Sequence, residues 1–537
     1  MVFIVTTILF AGGSGQSAGS SGGPAKLTVA MSEDVRIKDF KTNHQTLLIE
    51  KRANVDLEFV MLPRTDYNNK INLMMMAGGN ELPDVIIGKD SFNDSMVFGW
   101  GLSGSIIPVT KYYKDKKASA NFHAFQEKTG LDFIPQITSP DGEIYGIPSY
   151  QRSTGNEHQP KVWYHKGWLE KLGLKEPTTT EELRTVLRAV VRGDPNGNGR
   201  ADEIGIIGDF VMADVWSRNW FQFLMNSFVF AGDSNFFTVN NGRVGAAYTT
   251  PEWREGLKYM RSLFTEGLMP IENLTQNENQ VKAIVNADPH RVFMVPRAVI
   301  SDNFNTSNPV GDEFYFLKPL KGPNGVQYAG YRPIVPMISF LISSNCKNPD
   351  AAFRMGDTML QPDISITSRY GEEGVNWDYP QNVKNLGDYT VRIPGFPFSV
   401  IVYDDGNIWG GTAVHNVHWR QAGPIFNAEA VVSGIGQKSG GPLRNLLDGP
   451  ARVAYYDPAF QPKEIIPKLI YTEAEKNEVD IPMASLLTYL TEATSNFLAG
   501  NRDIDATWNA YLNDINNIGL PKVLATVQKV YDRMYKK

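Results

Sequence analysis

The run DPNGNGRADE at residues 194–203 concentrates the clearest chemistry in the chain. Asp194, Asn196 and Asn198 stand at loop positions 1, 3 and 5, and Gly199 occupies position 6, where an EF-hand loop makes its sharp turn. Arg200 offers a backbone carbonyl at position 7, and Asp202 and Glu203 follow at 9 and 10. Ca2+ is a hard cation that gathers roughly six to eight oxygens, and this spacing wraps oxygens around one ion. Gly205 stands where a complete loop has its bidentate glutamate, so Glu203 must close the shell early. The alternative is a metal-free turn held by its own Asx side chains. Acids used as ligands are not free for catalysis, so the expected Ca2+ is structural.

The elements flanking this loop read clearly. Before it, Thr179 and Glu182 have capping-box spacing, and Leu183, Val186, Leu187 and Val190 form one apolar helical stripe. After it comes the apolar segment IGIIGDF. Earlier, KLTVAMSED and ANVDLEFVML alternate as strands, a helix capped by Thr65 runs through NNKINLMMMA, and LPDVIIG makes a buried strand. Strand, helix and strand in that order imply a parallel crossover. KVWYHK starts a second such pattern. A helix from Thr250-Pro251 carries Trp253, Leu257, Met260 and Phe264 on one face. RVFMVP and PMISFLIS read as further strands, and Asn348-Pro349 opens a helix. Two helices broken at Gly519 end the chain.

Composition narrows the function. A net charge of −6 over 537 residues supplies no basic excess for nucleic acid. The single cysteine, Cys346, rules out an internal disulfide or a Cys-rich metal site and reads as structural. The apolar N-terminal run VFIVTTILFAGG suits a signal-peptide core better than a membrane span, and a Gly/Ser tether follows. Phe10-Ala11-Gly12 resembles the start of a lipoprotein cleavage box, with Gly13 where the lipidated cysteine would stand. The expectation is a truncated or altered leader; an unrelated N-terminus is the alternative. The G-x-S-x-G spacings, GQSAG at 15–19 and GSSGG at 19–23, fall in the Gly/Ser tether with no sheet strand before them and so make no nucleophile elbow, and there is no P-loop or H-E-x-x-H motif. The acid pairs Glu372-Glu373 and Asp404-Asp405 are adjacent, and adjacent acids project apart, which argues against a glycosidase. His415 and His418 lack a third ligand in sequence for zinc.

Several ordered stretches carry a resemblance: AGGNELPDVI, DGEIYGIPSY, WYHKGWLEKLGLKEPTTTEEL, DPNGNGRADEIG, WREGLKYMRSLFTEGLMP, PLKGPNG, NCKNPDAAFRMGDTML, YGEEGVNWDY and WNAYLNDINNIGLPKVLATVQKVYDR. Over nearly the whole chain after residue 26, the protein resembles the extracellular solute-binding proteins of sugar ABC importers. Its nearest likeness is the calcium-containing branch that includes alginate-oligosaccharide binders. The resemblance implies an α/β, two-lobed periplasmic-binding-protein-like fold with hinge strands and a ligand cleft between the lobes. It implies a structural Ca2+ on Asp194, Asn196, Asn198, Arg200, Asp202 and Glu203, and no chemistry on the solute. The expected division is a leader and tether at 1–25, a first lobe from 26–150 plus about 292–360, and a second from 151–291 plus about 361–537. The expected molecule is a secreted monomer, a surface lipoprotein or periplasmic. It would bind an oligosaccharide and dock on membrane permease subunits. The same fold serving a non-sugar solute or a sensor system is the alternative, and a polysaccharide-degrading enzyme a more distant one.

Sugars present apolar faces and hydroxyl edges, so a binder stacks aromatics on the faces and aims polar groups at the edges. Loop aromatics beside polar residues are therefore the candidates: Tyr150 with Arg152, Trp216 and Trp220, Tyr331 with Arg332, Trp377, and Trp409 and Trp419 with Asn416 and Arg420. Arg332 or Arg420 could pair with the carboxylate of a uronic-acid sugar. Trp163, Trp253 and Trp508 are expected in the core.

Overall fold

The computed structural model describes residues 23–536 apart from 79–81, 89–90, 153–156, 160, 213–218, 233–234, 298–299, 301–302, 306–307, 392–394, 404–412 and 439–457. The leader, Trp216, Trp409 and Asp404-Asp405 lie outside the described residues. The strands are β1 (Ala25–Ser32), β2 (Val55–Leu62), β3 (Val85–Ile87), β4 (Ile147–Gln151), β5 (Val162–His165), β6 (Ile204–Ile206), β7 (Phe237–Asn240) and β8 (Arg243–Ala246). They continue with β9 (Val292–Pro296), β10 (Phe314–Phe316), β11 (Met337–Ile342), β12 (Trp377–Asp378), β13 (Tyr389–Val391), β14 (Val400–Val402), β15 (Phe426–Asn427) and β16 (Ile435–Lys438).

The first lobe is built on a six-stranded sheet in the order β15-β4-β11-β3-β1-β2. β1 and β2 pair in parallel over eight residues, from Ala25 opposite Val55 to Ser32 opposite Leu62. Parallel strands need a crossover. The helix His44–Ala53 supplies it, capped by Asn43 and closed by Asn54 in the left-handed region at φ 50°. Leu27, Val29, Val55 and Leu57 are buried against it and its neighbours. The helix after β2 spans Tyr67–Ala77, one short turn later than Thr65, and has no side-chain cap.

The second lobe holds the four-stranded sheet β10-β5-β9-β6 and the hairpin β7-β8. Leu183, Val186, Leu187 and Val190 are buried along the helix Thr180–Arg192. Thr179 caps it, accepting from the Glu182 amide, but the Glu182 carboxylate turns to Thr178 instead of closing the box. Trp163, Trp253 and Trp508 are buried in this core. The helices Glu473–Ala499, Ile504–Ile518 and Leu520–Tyr535 cover it, and the last two break at Gly519.

Two parts of the expected division are corrected. Residues 292–329 belong to the second core, because β9 pairs with β5 and β6 and β10 adds to β5. The chain returns to the first sheet only at β11. Residues from 361 do not all join the second lobe. Ile364, Trp419 and Phe426 pack in the first core. Ile366, Tyr370, Trp377, Val400, Val402 and Ile435 form a small third cluster on the sheet β12-β14-β16-β13. The chain passes between the two large cores after β4, before β5, and again between Ala329 and β11.

Cys346 packs partly buried against the first core, and desolvation pushes its thiol up to about 12, so it stays protonated. No helix among the described residues is long and apolar enough to cross a membrane.

Candidate functional site

In open α/β sheets ligands bind outside the carboxyl ends of the parallel strands, because the loops there diverge and leave a crevice. The carboxyl ends of β1, β2 and β3 open onto such a crevice, of about 610 Å³. Its wall is made from Ser32, Glu33 and Asp34 after β1, Arg64 through Asn69 after β2, Gly88 and Ser91 after β3, and the distant segment Trp419–Ala422.

That distant segment is stitched on by hydrogen bonds. The Lys38 amide donates to the His415 carbonyl at 2.9 Å, and the His415 amide to that of Arg36 at 2.8 Å. Asn416 accepts from the Asp39 amide and donates to Thr42. Trp419 donates its indole N–H to Thr46 at 2.8 Å and meets Phe59 edge-on. Arg420 and Gln421 then turn through the left-handed region, at φ 53° and 61°. This aims the Arg420 guanidinium at Asp34, 3.1 Å away. Burial raises the Asp34 carboxyl, but the hydrogen bonds and charge of Arg36, with the charge of Arg420, outweigh it and hold the group at about 2.

The expected contacts divide. Arg420 and Trp419 border the crevice, the indole only 1% exposed, while Asn416 acts as a clamp behind it. Tyr150 is not a cleft residue: it is 4% exposed and packs on Phe133 within the first core. Trp220 and Trp377 are corrected likewise. They are 1% and 0% exposed, Trp220 edge-on to Phe264 and Trp377 donating to the Gly371 carbonyl. Each indole sits where strand or helix packing buries it, despite polar neighbours in sequence. Arg152 pairs with the buried Glu157 at 3.0 Å in the first crossing segment. Glu157 also accepts from the Ile334 amide through its side chain and from the Arg332 amide through its backbone carbonyl, joining two crossings. Tyr331 and Arg332 line a separate cavity of about 640 Å³ on the second lobe, with Phe230 and Tyr328. The His415 and His418 rings lie 4.3 Å apart. Burial lowers both, His418 to about 3, so the pair is neutral near pH 7.

The loop at 194–203 leads from the helix Thr180–Arg192 into β6. Asp194 accepts from the amides of Gly197, Asn198 and Gly199 at 2.8–2.9 Å. Asn196 donates to the His290 carbonyl just before β9, and Asn198 bridges to the Arg200 amide and to Asp202. Glu203 is 5% exposed, and its Oε2 has no hydrogen-bond partner. Desolvation raises its carboxyl, and the charges of Asp194 and Asp202 add to this. A buried, unpartnered carboxylate oxygen beside two further acids fits a hard cation. Among the described residues no group of three or more His, Cys, Asp or Glu stands as a ready-made metal cluster. The loop's oxygens come from only three acids, and the rest are asparagine amides and a carbonyl.

Asp34, Arg64, Asp66, Asn68, Asn69 and Ser91 were not singled out from sequence. Their signal was positional: each lies at or just beyond the end of a segment read as a parallel strand.

Similarity to known proteins agrees with this geometry. The family model for bacterial extracellular solute-binding proteins matches residues 37–364. A fructooligosaccharide ABC transporter substrate-binding protein, FusA of Streptococcus pneumoniae serotype 4, is 27% identical over 90% of this chain and 86% of its own. Its structure with kestose superimposes with a TM-score of 0.69 at 22% identity, covering 95% of this chain and 99% of that one. A solute-binding protein of Bifidobacterium longum infantis, described as binding HMO, gives a TM-score of 0.75 at 20% identity, covering 96% and 100%. The alginate-binding protein AlgQ2, solved without calcium ion, gives 0.59 at 20% identity, covering 95% and 98%. With a family model spanning more than half its length and a two-lobed fold shared end to end, the chain belongs to the bacterial extracellular solute-binding proteins.

Proposed function

We propose that this protein is the solute-binding component of an ABC importer, capturing an oligosaccharide between its lobes and delivering it to a membrane permease. The observation that carries the reading is the crevice at the carboxyl ends of β1–β3, lined by hydroxyl, amide and ion-paired side chains. It lies in a chain that aligns over 90% of its length with a fructooligosaccharide-binding relative. Such a wall suits reversible binding: it offers donors and acceptors to sugar hydroxyls. Capture follows from closure. The empty protein favours separated lobes, and a solute touching both favours the closed form by its extra contacts. The crossing segments tied through Glu157 are where that motion bends.

The loop at 194–203 is read as a structural Ca2+ site held by Asp194, Asn196, Asn198, the Arg200 carbonyl, Asp202 and Glu203. The ion would neutralise the clustered acids and pin the helix end to the start of β9. The protein is read as exported and monomeric, retained at the cell surface by lipid or free in the periplasm.

A thermal-shift screen against an oligosaccharide library, in calcium and then in EDTA, tests the reading. A ligand present at about 100 times its Kd raises stability by about 2.7 kcal/mol. A shift confined to one oligosaccharide class is expected. A shift with peptides and none with any sugar would overturn the assignment.

A further inference from the structure

The first-lobe wall carries information about the charge of its solute. Asp34 gathers three guanidiniums: Arg36 through two hydrogen bonds of 2.7 and 2.6 Å, Arg420 at 3.1 Å and Arg64 at 3.4 Å. The Asp34 and Arg420 side chains are only 12% and 10% exposed, so water screens their pairing little. A ligand carboxylate approaching Arg420 would meet the Asp34 carboxylate on the same fork, and like charges sharing a partly desolvated site repel. Glu33 and Asp66 line the same wall. Among the described residues that line the crevice, three acids, Glu33, Asp34 and Asp66, stand against two guanidiniums, Arg64 and Arg420, so these residues leave no surplus positive charge facing it. Asn68 and Asn69, both exposed at its rim, offer neutral amides suited to hydroxyls.

Resting on the reading of this crevice as part of a sugar site, we propose that Asp34 is its specificity-determining residue. By engaging Arg36, Arg64 and Arg420 internally it makes the wall a receptor for neutral, hydroxyl-rich oligosaccharides and disfavours uronate chains. The arginines act as oriented hydrogen-bond donors held in place, not as free cations waiting for a carboxylate. Removing the Asp34 charge without changing its shape would release their field toward the crevice and invite an anionic sugar.

The test is calorimetric titration of the full chain, in calcium-containing buffer at low and moderate salt. The probes are neutral nystose and maltotetraose and anionic tetragalacturonate. The parent is expected to bind at least one neutral probe about tenfold or more tighter than tetragalacturonate, a difference of about 1.4 kcal/mol. Asp34→Asn is expected to narrow that gap about tenfold and to make tetragalacturonate binding salt-dependent. Arg420→Gln, with Asp34 intact, is expected to bring no gain in tetragalacturonate binding. A parent that prefers tetragalacturonate overturns the proposal while leaving the sugar-binding reading in place. A parent that binds none of these, or any other sugar, removes both. A folded Asp34→Asn variant with the parent's selectivity overturns the role of Asp34. If that variant does not melt cooperatively, the parent's own ranking decides the charge class and Arg420→Gln tests the wall.

Discussion

The loop at 194–203 and the wall around Asp34 are both clusters of charge in partly buried settings, yet they are built in opposite ways. The loop takes its oxygens from ten consecutive residues, and its backbone folds around Asp194 through local amides. The wall takes its charges from residues 34, 36, 64 and 420, which only the sheet and the segment stitched at His415 bring together. In the loop burial raises Glu203, and the charges of Asp194 and Asp202 add to it. In the wall the acid faces arginines, so Asp34 is depressed. The first arrangement leaves a buried carboxylate oxygen without a hydrogen-bond partner, and the second pairs its acid with arginines of its own.

The largest effect should come from breaking the wall's assembly. Trp419→Ala removes the indole that fastens the distant segment to the helix His44–Ala53 and to Phe59, and should cost about 3–5 kcal/mol. Urea unfolding measures it. A cost below about 1 kcal/mol would mean that the segment is held without its tryptophan.

Next comes the loop. With calcium at about 100 times its Kd, EDTA should remove about 2.7 kcal/mol of stability, and Asp194→Ala should abolish that response. Melting curves that superimpose with and without EDTA would leave the loop as a metal-free turn.

The wall's acid should then show in the pH dependence of stability. The Asp34 carboxyl lies at about 2 in the folded chain against an ordinary 3.8. A depressed acid stabilises fully above its unfolded value, and the contribution fades as pH falls from about 4 toward about 2. The contribution is on the order of 2 kcal/mol. Asp34→Asn should flatten that part of the stability–pH curve, and an unchanged acid limb would refute the ion-pair account.

The smallest effect has the opposite sign. Glu203→Gln should slightly raise the melting temperature of the calcium-free protein near pH 7, because a desolvated carboxylate beside Asp194 and Asp202 is unfavourable there. The same change should weaken the response to calcium. A lower melting temperature without calcium would show that the carboxylate is stabilised by something other than a cation.

Local pattern made much of the fold legible. The strands at 292–296 and 337–342, the stripe Leu183–Val190, the helix from Pro251 and the break at Gly519 follow from periodicity and capping within a few residues. Which sheet each strand joins did not follow. β9 is a run of five apolar residues equally suited to either core, and its placement rests on edge pairing with β5 and β6. The tryptophans failed for a related reason. Trp220 and Trp377 stand among polar residues in sequence, yet tertiary packing buries each, and sequence neighbours say nothing of spatial ones.

The sequence by itself determined the spacing of Asx and acidic residues in the loop, the crossover pattern of an α/β chain and the family resemblance. Each of these is set by residues close together, or by an order along the chain. Only the tertiary structure decided that Asp34 and Arg420, almost four hundred residues apart, form one ion pair, and so what charge the crevice presents. An electrostatic field depends on distance in space and on burial, and a linear sequence specifies neither for groups that folding alone brings together.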